Sequence, residues 1–308
     1  MFSQFCRRCA EPVSPQDRFC ERCGAVVVTL ARDRVEIDLG VVAGISDRGV
    51  RRRRNEDALA LRDLGPGPEG SEGPPPRAAA VAVVCDGVSS SARPDEASET
   101  AAEVAAGTLV AALRGASSPV TATREAIQAA DRAVAELAAS SGASPRAPRS
   151  AAPACTFVSA VVTGETVTVG WVGDSRAYWI PRAHTGSPPA RLTSDDSWLA
   201  KVVSAGTMTQ AQAAADWRAH AITAWLGEDA SQVDPHVITI EPGGPGVVVV
   251  CTDGLWNYLD TVDELTAALP ATAFDAPLDA ARGLVEIALR RGGHDNITVA
   301  VLPVGVPR

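Results

Sequence analysis

The chain has 308 residues, too long for one minimal module and suited to one large catalytic domain with a small appendage. Its 46% apolar and 21% charged residues exclude general disorder and allow a full hydrophobic core. With 37 acidic against 28 basic residues, a net charge of −9, no basic excess is left to neutralise a phosphate backbone, which excludes a protein that wraps nucleic acid.

The N-terminal segment Met1-Phe2-Ser3-Gln4-Phe5 lacks the apolar stretch of a signal peptide, and no run approaches the ~20 residues that span a bilayer. A cytoplasmic protein is expected, in a compartment where thiols stay reduced and bind metal more often than they cross-link. Residues 1–25 hold the pair Cys6 and Cys9, ten intervening residues, then the pair Cys20 and Cys23 before Gly24. That spacing predicts a ribbon of two knuckles giving four thiolates to one structural, tetrahedral Zn²⁺. A segment this short has no core of its own, so metal binding would supply most of its folding free energy. Residues 26–38 read as a linker.

From residue 39 the chain alternates strand-like and helix-like runs. Strands are predicted over 39–45, 78–85, 157–162, 166–172, 177–180, 237–240, 247–251 and 297–301, where apolar and β-branched residues dominate. Helices are predicted over 96–113, 121–140, 209–217, 262–269 and 277–290, two of them capped by Asp95 and Thr261. Residues 63–77 and 141–153 are loops rich in Pro, Gly or Ser. Strands come in clusters with short links such as Gly164-Glu165, which favours α+β with antiparallel sheets over a parallel doubly wound sheet.

The informative residues are acids at the ends of the most apolar strands: Asp86 before Gly87, Asp174 after Gly173, Asp253 before Gly254, and Asp295 ahead of Asn296-Ile297-Thr298-Val299. One such acid could be a turn former. Four whose strands converge would repel strongly unless a cation compensates them. Hard oxygen ligands of this kind select Mg²⁺ or Mn²⁺ over Zn²⁺, and an acid shared by two such ions is the arrangement that activates water on a phosphate ester. Upstream, Arg51-Arg52-Arg53-Arg54 stands just before Asn55-Glu56-Asp57. One guanidinium there could grip a phosphate bidentately; for the other three a solvated face or a patch for acidic partners suffices.

Five motifs in order then carry a family resemblance: Ser46-Asp47-x-Gly49-x-x-Arg52-x-x-Asn55-Glu56-Asp57, Val84-Cys85-Asp86-Gly87, Val172-Gly173-Asp174-Ser175-Arg176-Ala177-Tyr178, Cys251-Thr252-Asp253-Gly254-Leu255-Trp256 and Asp295-Asn296-Ile297-Thr298-Val299. Over residues 39–303 the chain resembles the bacterial metal-dependent serine/threonine protein phosphatases of the protein phosphatase 2C (PPM) family. The resemblance implies a four-layer α-β-β-α sandwich with two antiparallel sheets as the catalytic domain. It also implies hydrolysis of phosphoserine and phosphothreonine on proteins by a metal-activated water, opposing bacterial serine/threonine kinases. Asp86 would bridge two Mg²⁺ or Mn²⁺ ions with the Gly87 carbonyl as a further ligand. Asp253 and Asp295 would complete one shell, Glu56 and Asp57 would hold or orient metal waters, and Asp174 with Asp253 fits a third, weaker ion.

Arg52 takes the place of the phosphate-gripping arginine, with Asp47 supporting it. Phosphoproteins are the implied substrates and the kinases implied partners; membrane and nucleic acid are not expected. Val88 stands where eukaryotic relatives carry a His, and Asp196 where the family usually has one ahead of the flap, residues 197–227. Trp198, Trp217 and Trp225 are expected to pack within that flap. His184, His220, His236 and His294 show no ligand spacing, and Cys85, Cys155 and Cys251 read as core. The competing reading is a catalytically weak phosphoprotein-binding adaptor that docks through the zinc ribbon, which is itself read as a protein-docking element.

Overall fold

The computed structural model describes residues 4–5, 12–13, 22, 33–65, 79–140, 152–182, 187–228 and 233–305. At the N-terminus β1 (Gln4–Phe5) pairs antiparallel with β2 (Pro12–Val13), Gln4 opposite Val13. The four cysteines expected to hold zinc lie outside the described residues.

In chain order there follow β3 (Arg34–Asp38), β4 (Ala43–Asp47), β5 (Asp57–Asp63), β6 (Ala79–Asp86), α1 (Pro94–Arg114), α2 (Pro119–Ser140), β7 (Phe157–Thr163), β8 (Thr166–Val172), β9 (Arg176–Pro181) and β10 (Ala190–Arg191). Then come α3 (Trp198–Ser204), α4 (Gln210–Ala214), β11 (His236–Ile240), β12 (Gly246–Cys251), α5 (Asp253–Trp256), α6 (Val262–Ala268), α7 (Pro277–Arg290) and β13 (Ile297–Val304). One sheet runs β10-β9-β12-β13-β4-β3 and the other β11-β8-β7-β6-β5, every pairing antiparallel.

The sheets stack face to face because their central strands are apolar on both faces. In β6, Ala80, Ala82 and Val84 meet Val248, Val250 and Ala300 of the other sheet, while Val81, Val83 and Cys85 meet Ala97, Ala101 and Leu109 of α1. α7 packs Ala281, Leu284 and Ala288 onto Ile45, Val299 and Val301 of the opposite sheet. A strand covered on both sides reads as an unbroken apolar run. Each fully buried Val or Leu in these layers stabilises by ~1.5–3 kcal/mol. The layers are thus helix, sheet, sheet, helix.

The sequence-predicted boundaries differ at informative places. Residues 34–38, read as part of a linker, form β3, an edge strand whose charged residues alternate with half-buried Val35 and Ile37. β5 and α5 were not expected as elements at all. The cap of α1 is not Asp95 but Arg93, at φ 54°, with Pro94 opening the helix; proline suits the first helical turn because its missing N–H has no partner there anyway. Thr261 does cap α6, in a reciprocal capping box with Glu264. Among the described residues no helix is long and apolar enough to cross a membrane.

Candidate active site

Antiparallel pairing brings distant acids to one end of both sheets. Asp57 opens β5 directly opposite Asp86, which ends β6. β7 begins beside the end of β6, Val84 opposite Val158, and the end of β8 lies opposite the start of β7, Val172 against Phe157, so Asp174 emerges at the same edge. In the other sheet Cys251, the last residue of β12, lies opposite Val299, and Ile297 lies opposite Asp47. Asp253 and Asp295 therefore leave their strands at that edge too.

Three loops fix the side chains. Asp47 accepts the Gly49 N–H at 2.8 Å and the Arg34 guanidinium at 2.8 Å. Gly49 is at φ 73°, and a Cβ there would stand 2.0 Å from the Asp295 carbonyl, so only glycine lets the two loops touch. Asn296 ties the same loops together: its side-chain amide donates to the Arg48 carbonyl at 2.8 Å and the Arg54 carbonyl at 3.0 Å, and its Oδ1 accepts the Glu56 N–H at 2.8 Å. Gly87 lies so close to the backbone that a Cβ would come within 2.5 Å of the Pro94 carbonyl and 2.7 Å of the Glu56 carbonyl.

Arg52 donates from Nη2 to Asp295 Oδ2 at 2.5 Å and from Nη1 to Ser89 Oγ at 3.0 Å. Ser89 passes its own hydroxyl proton toward Glu56 Oε2 at 2.8 Å, while Glu56 Oε1 accepts from Arg54 at 2.9 Å. Asp57 Oδ2 accepts two hydroxyls, from Thr298 at 2.7 Å and Thr252 at 2.9 Å. Thr298 also meets Ser46 at 2.8 Å, and Ser46 accepts from Asn55 at 2.8 Å, so the carboxylate rests on a closed polar network. Charge-assisted bonds of this kind are about twice as strong as neutral ones.

The acids hold their protons tightly. Burial, with the charges of Asp253 and Asp295 adding to it against the two threonine hydroxyls, pushes Asp57 up to about 7. Asp174 is pushed up to about 7 by burial and then by Asp253 and Asp195. Asp253 rises to about 6 through burial and the Asp295 charge, against a side-chain hydrogen bond with Asp86. Asp86 is raised well above the carboxylate range by burial and by Asp57, Asp253, Asp174 and Asp295.

The donor set fits a hard divalent cation. All the groups are oxygen, and Asp57 Oδ1 and Asp253 Oδ1 are buried acceptors with no partner. The fit is one of chemistry and orphaned acceptors rather than of a closed shell: among the described residues no three acids, histidines or cysteines form a metal-coordinating group. Arg52 takes Asp295, and Asp86 shares a hydrogen bond with Asp253.

Sequence reasoning missed Thr252, Thr298, Asn296 and Ser89, whose partners lie far along the chain. Only their adjacency to the acid motifs signals them. It also missed a second tier around Asp174. Arg176, 5% exposed, donates to Asp195 at 3.0 and 2.8 Å and to Asp260 at 3.0 Å, and lies 3.7 Å above the Trp256 ring. Trp256 donates its indole N–H to the Asp174 carbonyl at 3.0 Å. Asp196 accepts the Gly173 N–H at 2.9 Å and pairs with His236 at 3.0 Å, whose ring stacks on Trp171. His236 thus has a structural partner that its sequence spacing did not suggest, whereas His184 lies outside the described residues. Of the three flap tryptophans, Trp198 and Trp225 are half-buried, while the packing expected of Trp217 is corrected: it is 89% exposed. The Arg218 guanidinium lies 4.1 Å from the Trp198 ring and 5.9 Å from the Trp217 ring.

Comparison with known proteins gives a consistent picture. The family model described as protein phosphatase 2C matches residues 75–280, which include Asp86, Asp174 and Asp253 and leave Arg52, Glu56, Asp57 and Asp295 outside. A Streptococcus pyogenes protein described as of protein phosphatase 2C type is 32% identical over 150 residues, 48% of this chain and 57% of that one. The matched stretch spans about half the length, or less, of the curated relatives. Among solved structures, the PPM Ser-Thr phosphatase MsPP from Mycobacterium smegmatis, in complex with cacodylate, is 27% identical with TM-score 0.59, covering 86% of this chain and 98% of that one. The catalytic domain of the serine/threonine protein phosphatase PstP, in complex with two manganese ions, shares the fold at 22% identity and TM-score 0.55, covering 88% and 99%.

Proposed function

Because the chain belongs to the protein phosphatase 2C family, we propose that it is a metal-dependent phosphatase that removes phosphate from phosphoserine and phosphothreonine on proteins, opposing serine/threonine kinases. The observation that carries this reading is the meeting of Asp57, Asp86, Asp253 and Asp295 with Arg52 at one end of the two sheets. In the proposal Asp86, the Gly87 carbonyl, Asp253 and Asp295 would hold the Mg²⁺ or Mn²⁺ ions, Glu56 would hold their waters, and Asp174 with Asp253 would hold a further, weaker ion. Bound there, the ions would lower the pKa of water and shield the charge that grows on phosphorus.

The chain's own residues do the rest. Arg52 turns its guanidinium from Asp295 to the phosphate oxygens and holds them bidentately. Asp57, fixed through Oδ2 by two threonines, offers Oδ1 to orient the attacking water. Val88 follows Gly87, so the leaving alkoxide takes its proton from water in the cleft. The three described cysteines, Cys85, Cys155 and Cys251, are buried and play no part.

Residues 1–25 are proposed to form a zinc ribbon that docks protein partners, outside the catalytic unit that the sandwich makes. The test is hydrolysis of para-nitrophenyl phosphate and of a phosphothreonine peptide with and without Mn²⁺. Turnover should require the metal, and Asp86→Asn or Asp253→Asn should reduce it by at least about a hundredfold, the scale of losing one group that stabilises a transition state. Metal-replete protein that binds the phosphopeptide yet never turns it over would point to the adaptor instead.

A further inference from the structure

The loop that presents Arg52 carries two more arginines whose side chains have no partner among the described residues. Of the run 51–54, Arg52 is engaged by Asp295 and Ser89, and Arg54 by Glu56 and Asp95. Arg51 and Arg53 are exposed, and among the described residues neither guanidinium has an ion pair or a hydrogen bond. Many other arginines are matched to acids: Arg34 to Glu36 and Asp47, Arg62 to Glu103, Arg93 to Glu96, Arg176 to Asp195, Arg182 to Asp275 and Arg282 to Glu36.

The backbone that carries these two arginines is held in place. Val50 and Arg51 both donate backbone N–H to the Gly293 carbonyl, at 2.8 and 3.2 Å, and Arg48 donates to the Arg52 carbonyl at 2.8 Å. With Asn296 bonded to the Arg48 and Arg54 carbonyls, the loop is pinned at both ends. Beside Arg51, Val50 is 60% exposed and offers a small apolar contact. A rigid loop loses little freedom when an anion settles on it. In a protein of net charge −9 with acids lining the cleft, two uncompensated cations directly flanking the phosphate-gripping arginine form a local exception to the sign of the surface.

We infer that Arg51 and Arg53 form an anion-reading rim that selects phosphoprotein segments carrying a second negative side chain, a carboxylate or another phosphate, one to three residues from the phosphoresidue. The inference rests on the phosphatase reading above. An extended peptide advances ~3.3 Å per residue, so side chains one to three residues from a phosphate on Arg52 lie within the reach expected of long arginine side chains that adjoin it in the chain. Carboxylate and phosphate both satisfy a guanidinium fork; phosphate, with more charge and three acceptor oxygens, satisfies it better.

The experiment compares kcat/KM on three phosphothreonine peptides that differ only in flanking residues: alanines, glutamates, or one phosphoserine. At low salt the wild type should prefer the glutamate peptide over the alanine one by about fivefold, and the doubly phosphorylated peptide by more, since exposed pairs contribute modestly and charged acceptors add to each other. The preference should fall below about twofold at high salt, where the Debye length shrinks to ~3 Å. Arg51→Ala together with Arg53→Ala should abolish the preference while para-nitrophenyl phosphate turnover stays unchanged. Arg114→Ala, which removes the same charge at the far end of α1, should leave the preference intact. Equal kcat/KM on all three peptides in the wild type, or a preference that survives the double substitution, overturns the inference while leaving the phosphatase reading standing. Failure of the wild type to hydrolyse even para-nitrophenyl phosphate with Mn²⁺ would sink that reading itself.

Discussion

Asp57 is the residue whose surroundings say most about how the site is kept ready. Its two oxygens are treated differently: Oδ2 is bound by Thr252 and Thr298, and Oδ1 is buried and bare. Replacing Thr298 by Val removes one donor and leaves the hydroxyl of Ser46 short of a partner. Each buried group so stranded costs about 1–3 kcal/mol. Urea titration of Thr298→Val should show that loss, and kcat should fall with it because Oδ1 is no longer aimed. The raised acids also give the metal-free protein a distinctive pH response. Asp57 and Asp174 at about 7 and Asp253 at about 6 bind protons more tightly folded than unfolded. Their contribution to stability is therefore fully present below the unfolded value near 4 and is lost as pH rises through 6 to 7. Thermal melts in chelator should fall from pH 5 to pH 8, and Asp57→Asn should flatten part of that fall. Mn²⁺ should restore stability at pH 8, since a divalent ion replaces the missing protons as counter-charge. A melt that rises over the same interval in chelator would contradict the tight proton binding.

At the level of elements, the strands that carry the acids were legible because they are buried on both faces, and the elements that were not legible have weaker local signals. β12 is an unbroken apolar run, β6 is one up to Asp86, and inside β7 and β13 only Ser159 and Thr298 interrupt the apolar residues. β5, by contrast, is Asp-Ala-Leu-Ala-Leu-Arg-Asp, a composition of helix formers made into a strand by pairing with β6; strand preference is set by neighbours more than by the residue. α5 is four residues long, too short for any periodicity, yet it sets the direction in which Asp253 leaves β12. Motif order located Arg52, Asp86, Asp253 and Asp295, but no spacing rule places Thr298 on Asp57, 241 residues away in the chain. Nor could spacing announce that Arg176 would be a buried clamp linking β9 to Asp195 and Trp256. Arg176→Met keeps much of the volume and leaves Asp195 only its longer pair with Arg191 at 3.6 Å, a loss on the order of 3 kcal/mol when the close partner of a buried pair is removed. Because Trp256 holds the Asp174 carbonyl, the same substitution should weaken the dependence of turnover on high Mn²⁺ more than turnover at saturating peptide. Unchanged urea midpoints would show that the clamp carries no weight.

For the molecule as a whole, the N-terminal proposal divides the seven cysteines into two chemical populations, which makes it testable without any activity assay. Cys85, Cys155 and Cys251 are buried in the sandwich. Burial pushes Cys251 up to about 12, and raises Cys85 with a further contribution from neighbouring Cys155. A thiol reagent attacks the thiolate, so Cys85 and Cys251 are shielded twice, by packing and by protonation, and Cys155 is shielded by packing. Cys6, Cys9, Cys20 and Cys23 have the spacing of zinc thiolates, which react slowly while the metal holds them and quickly once it leaves. Native zinc-loaded protein should therefore titrate few thiols with a disulfide dye, a strong chelator should release four together with one zinc per chain, and the last three should appear only on unfolding. Removing residues 1–25 should delete the chelator-sensitive four and leave hydrolysis of para-nitrophenyl phosphate intact, because among the described residues both large sheets are built from strands after residue 33. A truncated chain that loses that hydrolysis would instead make the ribbon part of the catalytic unit, and four thiols that titrate equally fast with and without chelator would remove the zinc.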